Sequence, residues 1–399
     1  MVEEEKVLAR RRERWRMIGF FVLSGILTAA WSSRIPAIQH KLQLNNASLG
    51  TVLFSIPIGL VSGLVAASWL VASFGARKVT LLSCLTTGVF LILAGLSPGI
   101  VGLMISLFLF GASRTIFNLA VNTAALEVQR EYEQPIIATF HGTWSLACLV
   151  SAGIGTLMII SDVKPIYHFI GIAFVCSAIA LLIRDTKDKH TTSGERRPLF
   201  VKPDKYLFFL GVIAICAMLC ESAMFDWSVN YFDKVIHARK SMITLGYMCF
   251  ISTMAGGRLL GDRLIGSFGI YRMLVINGML MAFGFAIVVV FPFVLPAALG
   301  FLLIGIGDSI LVPTIYLLAS RSTKMAPGYS LASVTLIGYS GFLIGPLFIG
   351  NISEYFGMKA AFFCLALMSL LVVVFTLVVR RISEREEERQ PSTMAAFNP

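Results

Sequence analysis

The chain is expected to be an all-α polytopic membrane protein, with twelve transmembrane helices arranged as two pseudo-symmetric six-helix bundles. Three observations predict this. Hydrophobic residues fill 57% of 399 positions and charged residues only 14%, a balance foreign to soluble domains. Twelve apolar stretches occupy the chain from Met17 to Val379, each about long enough for the roughly 20 residues that cross a ~30 Å hydrocarbon core as a helix. Residue matches also recur at a spacing of about 195.

The spans read as 17–39, 47–72, 79–97, 100–127, 138–160, 166–183, 206–232, 242–265, 271–291, 294–319, 328–352 and 357–380. The first follows a charged leader, 1–16, and is longer than the apolar core of a cleaved signal peptide. The second holds Pro57 and the small pair Gly59 and Gly63. The third starts after the basic turn Arg77-Lys78. The fourth carries Arg114, Asn118 and Asn122, and the fifth opens on His141 and Trp144. The sixth runs into a basic linker, 184–205, so that 17–183 forms one bundle. The second bundle, 206–380, begins with the seventh span and its Glu221, Asp226 and Trp227. Gly257, Arg258, Gly261 and Asp262 lie in the eighth, and the ninth follows Tyr271-Arg272. The tenth contains Asp308 and Pro313, and the eleventh Tyr339, Gly341, Gly345 and Pro346. The twelfth ends before a polar tail, 381–399. Small residues four apart let helices approach closely where no water-driven force acts between them.

Charge orients these spans. About 24 of the 33 Lys and Arg residues fall on the side that carries both termini. The positive-inside rule makes that side cytoplasmic. Topology and anionic lipid account for the net charge of +11, so no nucleic-acid partner is implied. All seven cysteines lie in predicted helices, without a C-x-x-C or a Cys/His cluster of zinc spacing. No Walker motif or catalytic constellation occurs. An enzyme, a cofactor and a bound metal are therefore not expected.

The repeat pairs Trp31 with Trp227, Gly50 with Gly246, Phe74-Gly75 with Phe268-Gly269, Gly111 with Gly305, Trp144-Ser145 with Tyr339-Ser340, and Gly155 with Gly350. Several matches at nearly constant offset indicate two parallel repeats. The loop Phe74-Gly75-Ala76-Arg77-Lys78 resembles the end of the major facilitator superfamily's motif between helices two and three. Ala72 and Ser73 stand where that motif has an Asp-Arg pair, so the acid's gating role does not transfer. Longer strings resemble the bacterial YbjJ/MosC-like branch, which is similar to fucose-permease-like transporters. They are Trp31-Ser-Ser-Arg34-Ile-Pro36-Ala-Ile38, Phe140-His141-Gly-Thr-Trp144-Ser145-Leu146, Asp226-Trp227-Ser228 and Gly257-Arg258-Leu-Leu-Gly261-Asp262-Arg263. The resemblance implies a monomeric secondary transporter of the bacterial inner membrane that moves a small polar solute, with sugars, polyols or their derivatives favoured.

Ionisable residues inside spans are costly and by default face a cavity or a partner. Arg114 and Asp308 occupy equivalent repeat positions and are expected to face each other across a central cavity, as solute ligands, as a pair broken by solute, or as a structural ion pair. Glu221 is the first candidate for proton coupling and Asp308 the second; a static hydrogen bond is the other reading of Glu221. Asn118 and Asn122, with amides that both donate and accept, suit a hydroxyl-rich solute. Trp31, Trp144, Trp227 and Tyr339 are candidate platforms for a sugar ring or else packing residues. His141 is a candidate hydrogen-bonding group. Arg34 and Asp226 are expected to pair as an outer gate, and Arg258 and Asp262 as an intrahelical brace four residues apart; Arg77, Arg258 and Asp262 are the gating candidates at the inner side. The alternatives are a proton-driven efflux antiporter for amphipathic compounds, or a sensor with a transporter fold.

Overall fold

A computed structural model describes residues 2–132, 136–184, 203–322, 325 and 327–389. The first half consists of α1 (Val2–Ser32), α2 (Ile35–Lys41), α3 (Asn46–Leu53), α4 (Ser55–Phe74), α5 (Ala76–Leu96), α6 (Ile100–Gln129), α7 (Ile137–Ile160) and α8 (Pro165–Ile183). The second consists of α9 (Lys205–Lys234), α10 (Leu245–Phe268), α11 (Ile270–Val290), α12 (Val294–Asp308), α13 (Leu311–Ser320), α14 (Pro327–Tyr355) and α15 (Met358–Arg389). Among the described residues twelve helical spans are long and apolar enough to cross a membrane, as the hydropathy pattern predicts.

Helix ends differ from the sequence expectation where local chemistry intervenes. The first helix, α1, already begins at Val2 and runs through the charged leader. The first span stops at Ser32, and Pro36 sits in the first turn of the short α2, where a missing N–H costs nothing. The second span breaks at Phe54, between α3 and α4, three residues before Pro57. The tenth breaks after Asp308, and α13 resumes at Leu311. Pro313 explains that break: its ring displaces the carbonyl four residues back and offers it no N–H, and that carbonyl belongs to Ser309.

Each half packs mainly on itself. In the first, α1 lies against α7 and α8, and α4 and α5 against α6; in the second, α9 lies against α14 and α15, and α11 against α12 and α15. Aromatic side chains fill the second core. Tyr231 and Phe362 have ring centroids 4.2 Å apart, and the Tyr231 hydroxyl donates to the Val288 carbonyl at 2.9 Å.

The halves meet across polar contacts at the end remote from the termini. There α3 packs on α14 and α2 on α9. Asn230 Nδ2 donates to Gln39 Oε1 at 2.9 Å, Lys234 Nζ to Asn46 Oδ1 at 2.7 Å, and the Asn46 backbone N–H to Glu354 Oε2 at 2.8 Å. His40 Nε2 lies 3.0 Å from Asp233 Oδ2. Lys240 pairs with Asp162, and Thr156 with Thr244. Backbones touch as well: a Cβ at Gly50 would lie 2.5 Å from the Pro346 carbonyl oxygen, so only glycine allows this approach.

Candidate functional site

Below that seal, charged side chains from both halves gather at mid-span. Arg114, from α6, is half-buried. The charge that acts on it most strongly is Asp226 of α9, followed by groups including Tyr247 of α10 and Glu221 of α9. Arg114 is in turn the charge that acts on Asp226. The two groups thus lie within electrostatic reach of each other, one from each half.

A second cluster lies within the second half. Arg258 Nη2 donates to Glu221 Oε1 at 3.1 Å, and its Nε to the Ser309 carbonyl at 3.4 Å. That carbonyl is the one Pro313 frees, so the broken helix offers an acceptor to a guanidinium. Gly257, beside Arg258, makes the approach possible, since a Cβ there would collide with the Ser309 side chain. Asp308 is 2% exposed, and neither of its oxygens has a hydrogen-bond partner. Glu221 and Arg258 are the charges that act on it.

These positions correct two expectations. Asp308 faces Glu221 and Arg258, not Arg114 across the cavity, because the break after Asp308 turns its neighbourhood toward α9 and α10. Asp226 lies within electrostatic reach of Arg114, while Arg34 is 2% exposed and donates to the Val163 carbonyl; the expected outer pair is absent. Burial lowers the pKa of Arg34, with no charge offsetting the desolvation. Arg258 reaches Glu221 and the Ser309 carbonyl; the expected brace to Asp262 falls on a side chain outside the described residues.

The remaining candidates divide. Asn122 Nδ2 donates to the Asn118 carbonyl oxygen at 2.7 Å and to Asn118 Oδ1 at 3.1 Å, and Asn118 is exposed. His141 is also exposed, edge-on to Phe21 at 5.3 Å. The Arg258 charge acts on it. Trp144 meets Phe225 of the other half at 6.4 Å, and the Glu221 charge acts on Tyr339. Trp31 and Trp227, by contrast, are 2% and 0% exposed inside their own bundles. Neither ring is open to a solute in this conformation. Arg77 pairs with Glu13 of α1 at 3.1 Å; an acid from α1 meets this arginine where the inner-loop motif lacks its own.

Sequence reasoning missed Phe225, Tyr247, Ser309 and the polar seal. The proline four residues after Ser309 was the one available signal; the seal partners lie far apart in the chain. Among the described residues no group of three or more His, Cys, Asp and Glu could hold a metal ion.

The comparisons with known proteins agree with this architecture. The family model described as Major Facilitator Superfamily matches residues 16–339. An MFS-type transporter of Yersinia pestis is 32% identical over 363 residues, covering 90% of this chain and 94% of that protein. Membrane protein MosC of Rhizobium meliloti is 28% identical, covering 88% and 86%. Among solved structures, a mutant of the nucleoside transporter NupG superposes with a TM-score of 0.77 at 11% identity, covering 92% of this chain and 99% of its own. A bacterial homologue of the lysosomal transporter Spinster, inward-facing and occupied, gives 0.70 at 14% identity, covering 92% and 96%. The chain belongs to the Major Facilitator Superfamily of membrane transporters.

Proposed function

We propose that the protein is a secondary active transporter that moves a small polar solute across the bacterial inner membrane by alternating access, coupled to protons. The observation that carries this reading is the gathering of charges at mid-span, where Arg114 of one half and Asp226 of the other lie within electrostatic reach, beneath a polar seal and near Glu221, Arg258 and Asp308. A solute that inserts between Arg114 and Asp226 makes different contacts in the two conformations of the halves, and only such differential contacts can shift their equilibrium. The positive-inside bias puts the termini in the cytoplasm, so the sealed end faces outward and exposed Asn118 and His141 face the inside.

For the proton, the geometry favours Asp308 over Glu221, the reverse of the order read from sequence. Glu221 has Arg258 as a partner, whereas an ionised Asp308 would be buried without a donor, which is costly. Asp308 is the group suited to carry a proton as a neutral acid. The likeness to MosC supports the branch assignment, and the resemblance to fucose-permease-like transporters favours sugars, polyols or their derivatives.

The test is transport in proteoliposomes loaded with a pH-sensitive dye and challenged with sugars, polyols, amino sugars and nucleosides. Solute-dependent proton movement, lost in Arg114→Gln, is the expected result. Uptake that leaves the internal pH unchanged and is indifferent to Asp308→Asn would refute the coupling.

A further inference from the structure

A second polar site lies away from the mid-span cluster, at the sealed end of the first half. Arg34, in the corner between α1 and α2, is 2% exposed. It donates to the Val163 carbonyl, and its Nε has no hydrogen-bond partner. Among the described residues no Asp or Glu forms an ion pair with it. A buried guanidinium left without a counter-charge is costly, because nothing compensates its lost hydration.

His168 stands in the first turn of α8, five residues after Val163. It is 4% exposed, and neither ring nitrogen has a partner. Arg34 is the charge that acts on it. The ring lies beside Gly155 and Ser33: a Cβ on Gly155 would sit 3.9 Å from His168 Cε1 and collide with the Ser33 hydroxyl. No side chain caps the start of α8, which leaves its positive end near the same place. Asp162 is the nearest acid in sequence, but it is mostly exposed and turned to Lys240. Lys164 adds a second positive charge to this loop.

Buried donors without acceptors call for an unseen ion or water. Here the unmatched donors are the Arg34 Nε–H and one ring N–H of His168, beside a guanidinium whose charge a water cannot neutralise. We infer that a small monovalent anion, with chloride as its abundant representative, binds between Arg34 and His168. It neutralises Arg34, accepts from its Nε and from a ring N–H of His168, and ties the α1–α2 corner to the start of α8. The Asp162–Lys240 contact of the seal springs from the same loop, so anion occupancy also firms the closed outer end.

The experiment uses the full-length protein with bromide as the probe. Crystals grown in bromide should show an anomalous peak between Arg34 and His168. Melting temperature in chloride should exceed that in gluconate at equal ionic strength, since a ligand that binds only the folded state stabilises it. His168→Phe, which keeps the ring volume without donors, should lose this chloride dependence. His168→Gln, which keeps a donor, should retain part of it. Water in place of the anomalous peak overturns the site, as does a chloride dependence undiminished in His168→Phe.

Discussion

Arg258 Nη2 lies 3.1 Å from Glu221 Oε1, while its Nε reaches the carbonyl of Ser309. One guanidinium therefore links two helices, α9 and the broken α12–α13, and stands beside a second carboxyl, Asp308. The link is partly open to solvent, with the Arg258 side chain 30% and Glu221 13% exposed. Its worth should fall between the ~1 kcal/mol of an exposed pair and the roughly 3–5 kcal/mol lost when a buried pair is broken. A double-mutant cycle with Glu221→Gln and Arg258→Gln, read by unfolding of the purified protein, measures it. A coupling energy near zero would show that the two groups are independent.

Asp308→Asn should leave folding intact, because no hydrogen bond depends on either carboxyl oxygen. In proteoliposomes, solute exchange in the absence of a proton gradient should survive, while uphill accumulation driven by that gradient should be lost. Equal accumulation by the variant and the wild type would remove Asp308 from the coupling role.

Gly50 sets how closely the halves approach at the sealed end. The Gly50→Ala side chain would press on the Pro346 carbonyl and the Gly350 backbone, raising the energy of the sealed conformation relative to the open one. A bias of about 1.4 kcal/mol changes the populations tenfold. The rate at which a membrane-impermeant thiol reagent modifies a cysteine placed by Ser353→Cys should rise on about that scale. An unchanged rate would mean that the seal does not open there.

Pro313→Ala returns an N–H to the Ser309 carbonyl and removes the cause of the break. The tenth span should straighten and the melting temperature hold or rise, while Arg258 loses its acceptor to the helix. Transport turnover should fall even though no charged group has changed. Wild-type turnover in this variant would separate the break from function.

The seal depends on amides as much as on charges. Asn230→Ala removes the donor to Gln39 and leaves a buried amide oxygen unpaired, a loss of about 1–3 kcal/mol that falls on the sealed conformation alone. The same thiol-accessibility assay should respond, and Gln39→Ala should give a similar change.

Span number and the two-fold repeat were legible in the chain, because lipid demands about 20 apolar residues for each crossing and leaves little else to read. The polar residues inside spans were equally legible as exceptions: Arg114, Glu221, Arg258 and Asp308 all stand out against their apolar neighbours. Their partners were not. Equivalence in the repeat suggested Arg114 with Asp308, but that argument uses only position along the chain.

Pairing is decided by how whole helices rotate and break against one another. The break after Asp308, caused by a proline five residues on, brings the Ser309 carbonyl within reach of Arg258, and the meeting of the two halves brings Arg114 and Asp226 within electrostatic reach of each other. Hydropathy is a local property, so the sequence by itself determined the class, the spans and the list of costly polar groups. Which of those groups meet, and which end of the molecule closes, depends on contacts between residues some 40 to 310 positions apart, and only the tertiary structure decided that.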